Sequence, residues 1–236
     1  HRYPKIKNLR NMNFIILSEK VWNKDLKDKL EALFPEHTWY YISSKEEFTA
    51  SKLEELQPSK IFIPHWSYII PKAIYENYDC VVFHMTDLPY GRGGSPLQNL
   101  IVRGHENTKV SALRVCGGLD TGDIYLKHNL NLNGTAEEIY TRTNHIIEEM
   151  IIEIIRDNKQ AVPQKGEPVL FKRRTPEESN LKVCKSIKEI YDYIRMLDAD
   201  GYPKAYIEFG DFRLEFSRAS LKADNSIISD VKIVKK

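Results

Sequence analysis

Short apolar runs alternate with stretches of helical periodicity through the first two thirds of the chain. Phe14-Ile15-Ile16-Leu17 is a continuous apolar run, short enough to be a strand buried on both faces. Residues 24–34 then bring Leu26, Leu30, Leu33 and Phe34 onto one helical face. Residues 38–42, 60–64, 80–84 and 109–115 read as further strands, and 124–126 as one more short one. Helices are expected over 51–56, with Ser51 as N-cap, over 95–102 and over 135–157. The last repeats Ile139, Thr143, Ile146, Ile147, Met150, Ile151 and Ile154 at helical spacing. Strand–helix alternation in units of about 30 residues predicts an α/β fold, a Rossmann-like, mostly parallel sheet covered by helices. Ligands of such sheets lie beyond the carboxyl ends of the strands.

The pattern changes near Asn158. Residues 159–168 hold two prolines and a glycine and read as a linker. One helix follows, over 187–197, and then a hairpin with strands 205–209 and 213–216 joined by Gly210-Asp211. A last strand over 229–234 completes a small α+β C-terminal appendage. The expected division is a domain over 12–158 and a small domain with its linker over 159–236.

Composition narrows the function classes. The chain has 236 residues, 42% hydrophobic and 29% charged, as expected of a folded protein with one medium domain and an appendage. With 35 basic against 33 acidic residues the net charge is +2, which gives little long-range attraction to nucleic acid or anionic membrane. Cys80, Cys116 and Cys184 form no CxxC pair, which fits a reduced, cytoplasmic setting. No apolar run is long enough for a bilayer, so no membrane partner is expected. The stretch His1–Asn13 is basic and lacks the apolar core of a signal peptide, and Met12 is a candidate start. The histidines are scattered without ligand spacing, so no metal is expected.

Two segments carry chemistry. The first runs from His84 through Thr86, Asp87, Leu88, Pro89, Arg92, Gly93 and Gly94 to Ser95-Pro96. A histidine leaving a strand can serve as acid or base in the crevice. Ser95 and Pro96 suit N-cap and first position of the next helix. A tight loop that merely caps a helix is the competing reading. The second segment, Gly117-Gly118-Leu119-Asp120-Thr121-Gly122-Asp123, sets glycines around a carboxylate straight after a strand. Alone it reads equally as a turn.

Together the two segments resemble the folate-dependent formyltransferases, over roughly residues 14–155. That family opens a loop of form H-x-S-L-L-P-x-x-R-G-x-x-P with its catalytic histidine and places its catalytic aspartate in L-D-T-G-D. His84, Thr86, Leu88, Pro89, Arg92, Gly93 and Pro96 occupy the matching places, and residues 119–123 match without a gap. The resemblance implies His84 and Asp120 as catalytic residues and N10-formyltetrahydrofolate as co-substrate. It implies a folate site at Trp66, Ser67, Tyr68, Ile69, Leu88, Gly118 and Leu119. The family's asparagine, two residues before the histidine, is here Val82, which has no side-chain donor. His65 is the expected substitute; lining the folate site is its other reading. Thr86, Asp87, Arg92 and Gly94 are expected at the acceptor, with Asp87 either binding an amine or capping its own loop. Arg173 and Arg174 are candidates for nucleotide phosphates, or for a solvated charge run.

Three amine acceptors suit the resemblance: methionyl-tRNA, glycinamide ribonucleotide and nucleotide-linked amino sugars. Residues 161–236 hold 15 basic and 12 acidic residues, a net of +3, mild for a tRNA partner. The expected acceptor is therefore a nucleotide-linked 4-amino-4,6-dideoxy sugar, of the kind the resemblance associates with pseudaminic-acid-type pathways. The alternatives are a methionyl-tRNA formyltransferase-like enzyme, or a weakly catalytic folate- or nucleotide-binding domain because of Val82. A homodimer is among the assemblies the chain allows.

Overall fold

The computed structural model describes residues 11–236. Most of the basic stretch His1–Asn13 lies outside them. The chain divides into two compact units interleaved along the sequence. The first holds the described residues up to His84, Val110–His128 and Asn144–Glu167; the second holds Met85–Lys109, Asn129–Thr143 and Pro168–Lys236.

The first unit is built on a six-stranded sheet. Its elements are β1 (Asn13–Ser18), α1 (Trp22–Leu33), β2 (Thr38–Ile42), α2 (Ala50–Leu56), β3 (Lys60–His65), α3 (Lys72–Tyr75) and β4 (Cys80–His84). The second unit begins with β5 (Tyr90–Gly93) and α4 (Pro96–Val102). Three elements, β6 (Asn107–Arg114), β7 (Ile124–Asn131) and α5 (Ala136–Arg156), have residues in both units. The sheet order is β2-β1-β3-β4-β6-β7. β1 pairs parallel with β2 and β3, and β3 with β4; β6 runs antiparallel to β4. The expected α/β class with a mostly parallel sheet is what the chain forms.

Alternation sorts the side chains of this sheet onto two faces. Ile15, Leu17, Ile61, Ile63 and Cys80 pack in one buried cluster with Phe48, Leu53, Leu56 and Ile74, on the side of α2 and α3, and Val82 packs against it. Burial pushes the Cys80 thiol up to about 12, so it is an inert apolar side chain. On the other face Phe14 meets Trp39 at 4.9 Å and Phe62 at 5.9 Å between ring centroids. There α1 and α5 are joined by Lys29 and Glu148 at 3.2 Å.

The second unit adds β8 (Val169–Phe171), α6 (Ile187–Arg195), β9 (Ala205–Phe209), β10 (Phe212–Leu221) and β11 (Ile227–Lys235). β5 and β8 pair parallel as a two-stranded sheet, and the last three strands form an antiparallel sheet in the order β11-β10-β9. The β5–β8 pair has no counterpart in the sequence reading, because strands of three or four residues carry no period. Gly93 enables it: at φ +115° a Cβ there would stand 2.2 Å from the Phe171 carbonyl oxygen.

Two local expectations need correction. α2 begins one residue earlier than expected, with Thr49 rather than Ser51 as its cap; the Thr49 hydroxyl accepts the Lys52 N–H at 3.2 Å. Ser95 and Pro96 do take the N-cap and first positions of α4, but Ser95 is left-handed and its hydroxyl makes no bond to the helix, accepting the Arg174 N–H at 3.0 Å instead. The stretch read as a linker is also tied down, since Val162 and Ile124 exchange backbone bonds at 2.8 and 2.9 Å.

Candidate active site

His84 ends β4 and Asp120 lies in the loop between β6 and β7, and the fold brings them together. His84 Nδ1 stands 3.7 Å from Asp120 Oδ2, and both side chains are largely buried. This is ion-pair distance and longer than a direct hydrogen bond. β4 is regular here, with His84 opposite Ser111 and Val82 opposite Leu113 on β6, so His84 and Val82 share a face.

The Asp120 loop is held in a demanding shape. Asp120 itself has φ +52°, a left-handed backbone that non-glycine residues adopt at a cost of about 1 kcal/mol or more. Two features keep it there. At Gly122 a Cβ would stand 1.7 Å from the Arg114 carbonyl oxygen, so only glycine lets the loop pass the end of β6. The Gln164 amide donates to the Asp120 carbonyl at 2.8 Å and to the Gly122 carbonyl at 2.9 Å. Within the loop the Cys116 thiol and Thr121 hydroxyl are 3.1 Å apart. Gln164 had no signal in the sequence: it sits in a stretch that reads as linker, 44 positions from the residue it supports.

His65 takes a different course. Ile16 pairs with Phe62 and Ser18 with His65, so β3 uses three steps where β1 uses two. The extra residue is a bulge, and it returns His65 to the face of Phe62. There His65 Nε2 lies 2.9 Å from Asn144 Oδ1 of α5, and its ring is 6.1 Å from that of Trp22 at the start of α1. Burial lowers the His65 pKa, opposed by the Asn144 hydrogen bond, while nearby Lys20 lowers it further. Val82, Ile63 and His84 belong to the opposite face.

The expected folate residues of this unit lie on two loops. Trp66 packs edge-on against Phe48 at 5.9 Å and Tyr68 at 5.4 Å. The Ser67 N–H donates to the Glu19 carboxylate at 2.9 Å. Ile69 is 94% and Leu119 70% exposed, and Tyr68 is half exposed. Gly118 precedes Leu119, close against Thr121. Unburied apolar groups on loops are what a flat, partly apolar ligand can cover.

The remaining candidates belong to the second unit. Thr86 is fully buried, its hydroxyl 3.4 Å from the Gly91 carbonyl. Leu88 is buried as well, so it serves packing there. The Asp87 carboxylate pairs with Lys109 at 3.4 Å. Arg92 is half-buried on β5, and the Gly94 N–H donates to the Phe171 carbonyl at 3.2 Å. The Arg174 guanidinium donates to the Glu178 carbonyl at 2.9 Å and lies over the Tyr193 ring, and Arg173 packs against Gly94. Among the described residues no group of three or more His, Cys, Asp or Glu could hold a metal ion, and no helix is long and apolar enough to cross a membrane.

Comparison with known proteins bears on this geometry. Residues 21–155 match the model described as formyl transferase, and residues 176–234 the model described as methionyl-tRNA formyltransferase, C-terminal domain. A methionyl-tRNA formyltransferase of Rickettsia prowazekii is 31% identical over 178 residues, covering 72% of this chain and 58% of that protein. The chain thus spans somewhat over half the length of the curated relatives it matches. A solved methionyl-tRNA formyltransferase from Clostridium thermocellum is 50% identical with a TM-score of 0.90, covering 95% of this chain and 100% of that one. A Mycobacterium tuberculosis protein described as a likely sugar N-formyltransferase has a TM-score of 0.68, covering 95% and 98% of the two chains. At 18% identity that likeness bears on the fold alone. The amino-sugar expectation therefore has no support beyond fold, and the relatives of higher identity carry the tRNA name instead. Because the formyl transferase model matches more than half of its length, this chain belongs to the formyl transferase family.

Proposed function

We propose that the chain transfers a formyl group from N10-formyltetrahydrofolate to the amine of methionyl-tRNA. The observation that carries the chemistry is the 3.7 Å approach of His84 Nδ1 to Asp120 Oδ2 at the carboxyl end of β4. The C-terminal match over residues 176–234 and the 50% identity to the Clostridium thermocellum protein favour tRNA over a sugar. The mild charge of the C-terminal region, +3, does not override them.

The co-substrate, when bound, supplies a formyl carbon already activated for attack by an amine. Exposed Ile69 and Leu119, with half-exposed Tyr68, fit the flat pterin of a folate. The remaining work falls to the chain. With Nδ1 turned to Asp120, the Nε2 edge of His84 is the one that meets the reacting groups. It donates to the formyl oxygen as negative charge develops there, and can pass a proton to the departing folate nitrogen. Asp120 holds the imidazolium and accepts the proton that the attacking amine gives up, directly or through water. Protons balance: the amine loses one and the folate nitrogen gains one. Val82 packs against the apolar cluster and offers no donor, which leaves the developing charge to His84. His65, on the other face with Asn144, braces the end of β3 in this reading.

The test is formylation in parallel. Purified protein and N10-formyltetrahydrofolate are offered methionyl-tRNA or a 4-amino-sugar nucleotide, with products read by mass. Formylmethionyl-tRNA is expected, with a rate that falls steeply as salt rises, because several phosphates must be neutralised. A formylated sugar with no formylated tRNA would overturn the acceptor. Folate binding without turnover of any amine would favour a binding domain and remove His84 and Asp120 from catalysis.

A further inference from the structure

β6 runs on past the end of β4. Their pairing stops where His84 meets Ser111, and the chain then leaves the sheet as the loop that leads to β5. Between that loop and the first residues of β6 lies a cavity of about 390 Å³. Every residue that lines it belongs to the second unit. Ligands of α/β sheets bind outside the carboxyl ends of the strands, and β4 ends here. The volume lies within the ~300–1,000 Å³ typical of small-molecule sites.

The lining has three kinds of chemistry. One part is aromatic and fixed in place. The Tyr90 hydroxyl and His105 Nε2 lie 2.9 Å apart, with the two rings 5.4 Å between centroids. Phe171 meets the Tyr90 ring edge-on at 5.4 Å and carries the Arg103 guanidinium over its own face at 4.4 Å. Leu100, buried on α4, adds an apolar surface. A second part is polar and neutral, made by Asn107, Thr108 and Asn129. The Asn107 side-chain oxygen accepts the Asn131 amide at 3.1 Å, so what Asn107 offers a ligand is its own N–H groups. The third part is charged: Asp87 and Lys109, paired at 3.4 Å with both side chains half exposed. A pair so exposed contributes little and is readily exchanged for a ligand.

We propose that this cavity binds a nucleotide. The base lies against the Tyr90 and His105 rings, with Asn107, Thr108 and Asn129 at its edge; Asp87 takes the ribose hydroxyls and Lys109 the phosphate. Each demand of a nucleotide is met by one part of the lining. An unpaired base needs a flat aromatic surface and donors and acceptors at its edge. A ribose diol donates to a carboxylate, as in dinucleotide-binding folds. A phosphate needs a cation. An apolar side chain placed here would cover the carboxamides without bonding them, which costs free energy. A bare anion would use Lys109 and leave the aromatic surface idle. The same chemistry has two sources, the terminal nucleotide of an RNA and a free nucleotide.

Calorimetry on the whole chain tests it with adenosine monophosphate, adenosine and inorganic phosphate. The monophosphate should bind in the micromolar to millimolar range, adenosine several-fold more weakly, and phosphate alone not detectably. Lys109→Met should remove the preference for the monophosphate over adenosine. Asn129→Leu should weaken both at least fivefold. Lys109 is half-buried and Asn129 exposed, so circular dichroism and melting should stay as in the wild type. No heat from the monophosphate at millimolar concentration overturns the proposal. So does phosphate that binds as well as the monophosphate, or binding that both variants retain in full. None of these measurements depends on the proposed activity. A last arm, which rests on that activity, separates the two sources. Competitive inhibition of methionyl-tRNA formylation by the monophosphate assigns the cavity to the end of the RNA. Binding that methionyl-tRNA does not displace assigns it to a free nucleotide.

Discussion

His65 and His84 leave neighbouring parallel strands: each is the last residue of its strand, and each has its imidazole beside a polar side chain. Their surroundings nonetheless differ. β4 is regular, so His84 keeps the face of Val82 and meets Asp120. β3 carries one extra residue before its end, and His65 turns to the face of Phe62 and meets Asn144. In a strand with a period of two, a single inserted residue exchanges the environment of everything after it. Placement at a strand end thus identifies a crevice residue only when the register is known.

The difference can be broken first at the proposed catalytic pair. His84→Ala and Asp120→Ala should each lower kcat by ~10²–10⁴, the range for general acid–base groups. The double variant should be little worse than either single one, because the two act as a unit. Steady-state kinetics on folded variants checks this; near-native turnover in both singles would dismiss the site.

Next in size is the loop that presents Asp120. Gly122→Ala forces a Cβ to within 1.7 Å of the Arg114 carbonyl unless the loop moves. Displacement of a catalytic group by about 1 Å costs on the order of 10² in rate, and that loss is expected with the far-ultraviolet circular dichroism unchanged. Gln164→Met keeps the volume and removes both donations to the loop carbonyls. A drop in kcat of ~10-fold is expected, or about 1.4 kcal/mol, with the KM for folate unchanged. In an Asp120→Ala background the same substitution should do nothing further to kcat. An additive loss there would assign Gln164 to general stability.

The smallest catalytic effect is expected at His65. His65→Ala should leave kcat within about threefold while costing ~1 kcal/mol of stability, the low end of the range for stranding a polar partner, because Asn144 is only half-buried. The pH dependence has a definite sign. Burial holds the folded His65 pKa below its ordinary value of 6.5, so the unfolded chain binds the proton more readily. The stability it contributes is full above pH 6.5 and is lost as pH falls toward the folded value. Denaturant titrations at pH 7.5 and 5.5 should show less acid loss in His65→Gln, which keeps a hydrogen-bonding group and does not titrate. An unchanged loss would place the titrating group elsewhere.

Much of this was determined by the sequence alone. Apolar runs at Phe14–Leu17, Ile61–Ile63 and Cys80–Phe83 gave the buried strands, because a strand covered on both faces must be apolar throughout. The helical apolar repeat along the 21 residues of α5 was equally plain. His84 and Asp120 stood out because chemistry-bearing residue types were packed among glycines and a proline just after strands. What only the tertiary structure decided depends on long-range register and contact. The bulge that turns His65 away is invisible without β1 beside β3, since only the partner strand shows that a step is extra. Gln164 reaches Asp120 from a stretch without periodicity, and β5 pairs with β8 across 79 positions between Tyr90 and Val169. A period of two or 3.6 is written locally, whereas the choice of which neighbour a strand counts against is made by the assembled sheet.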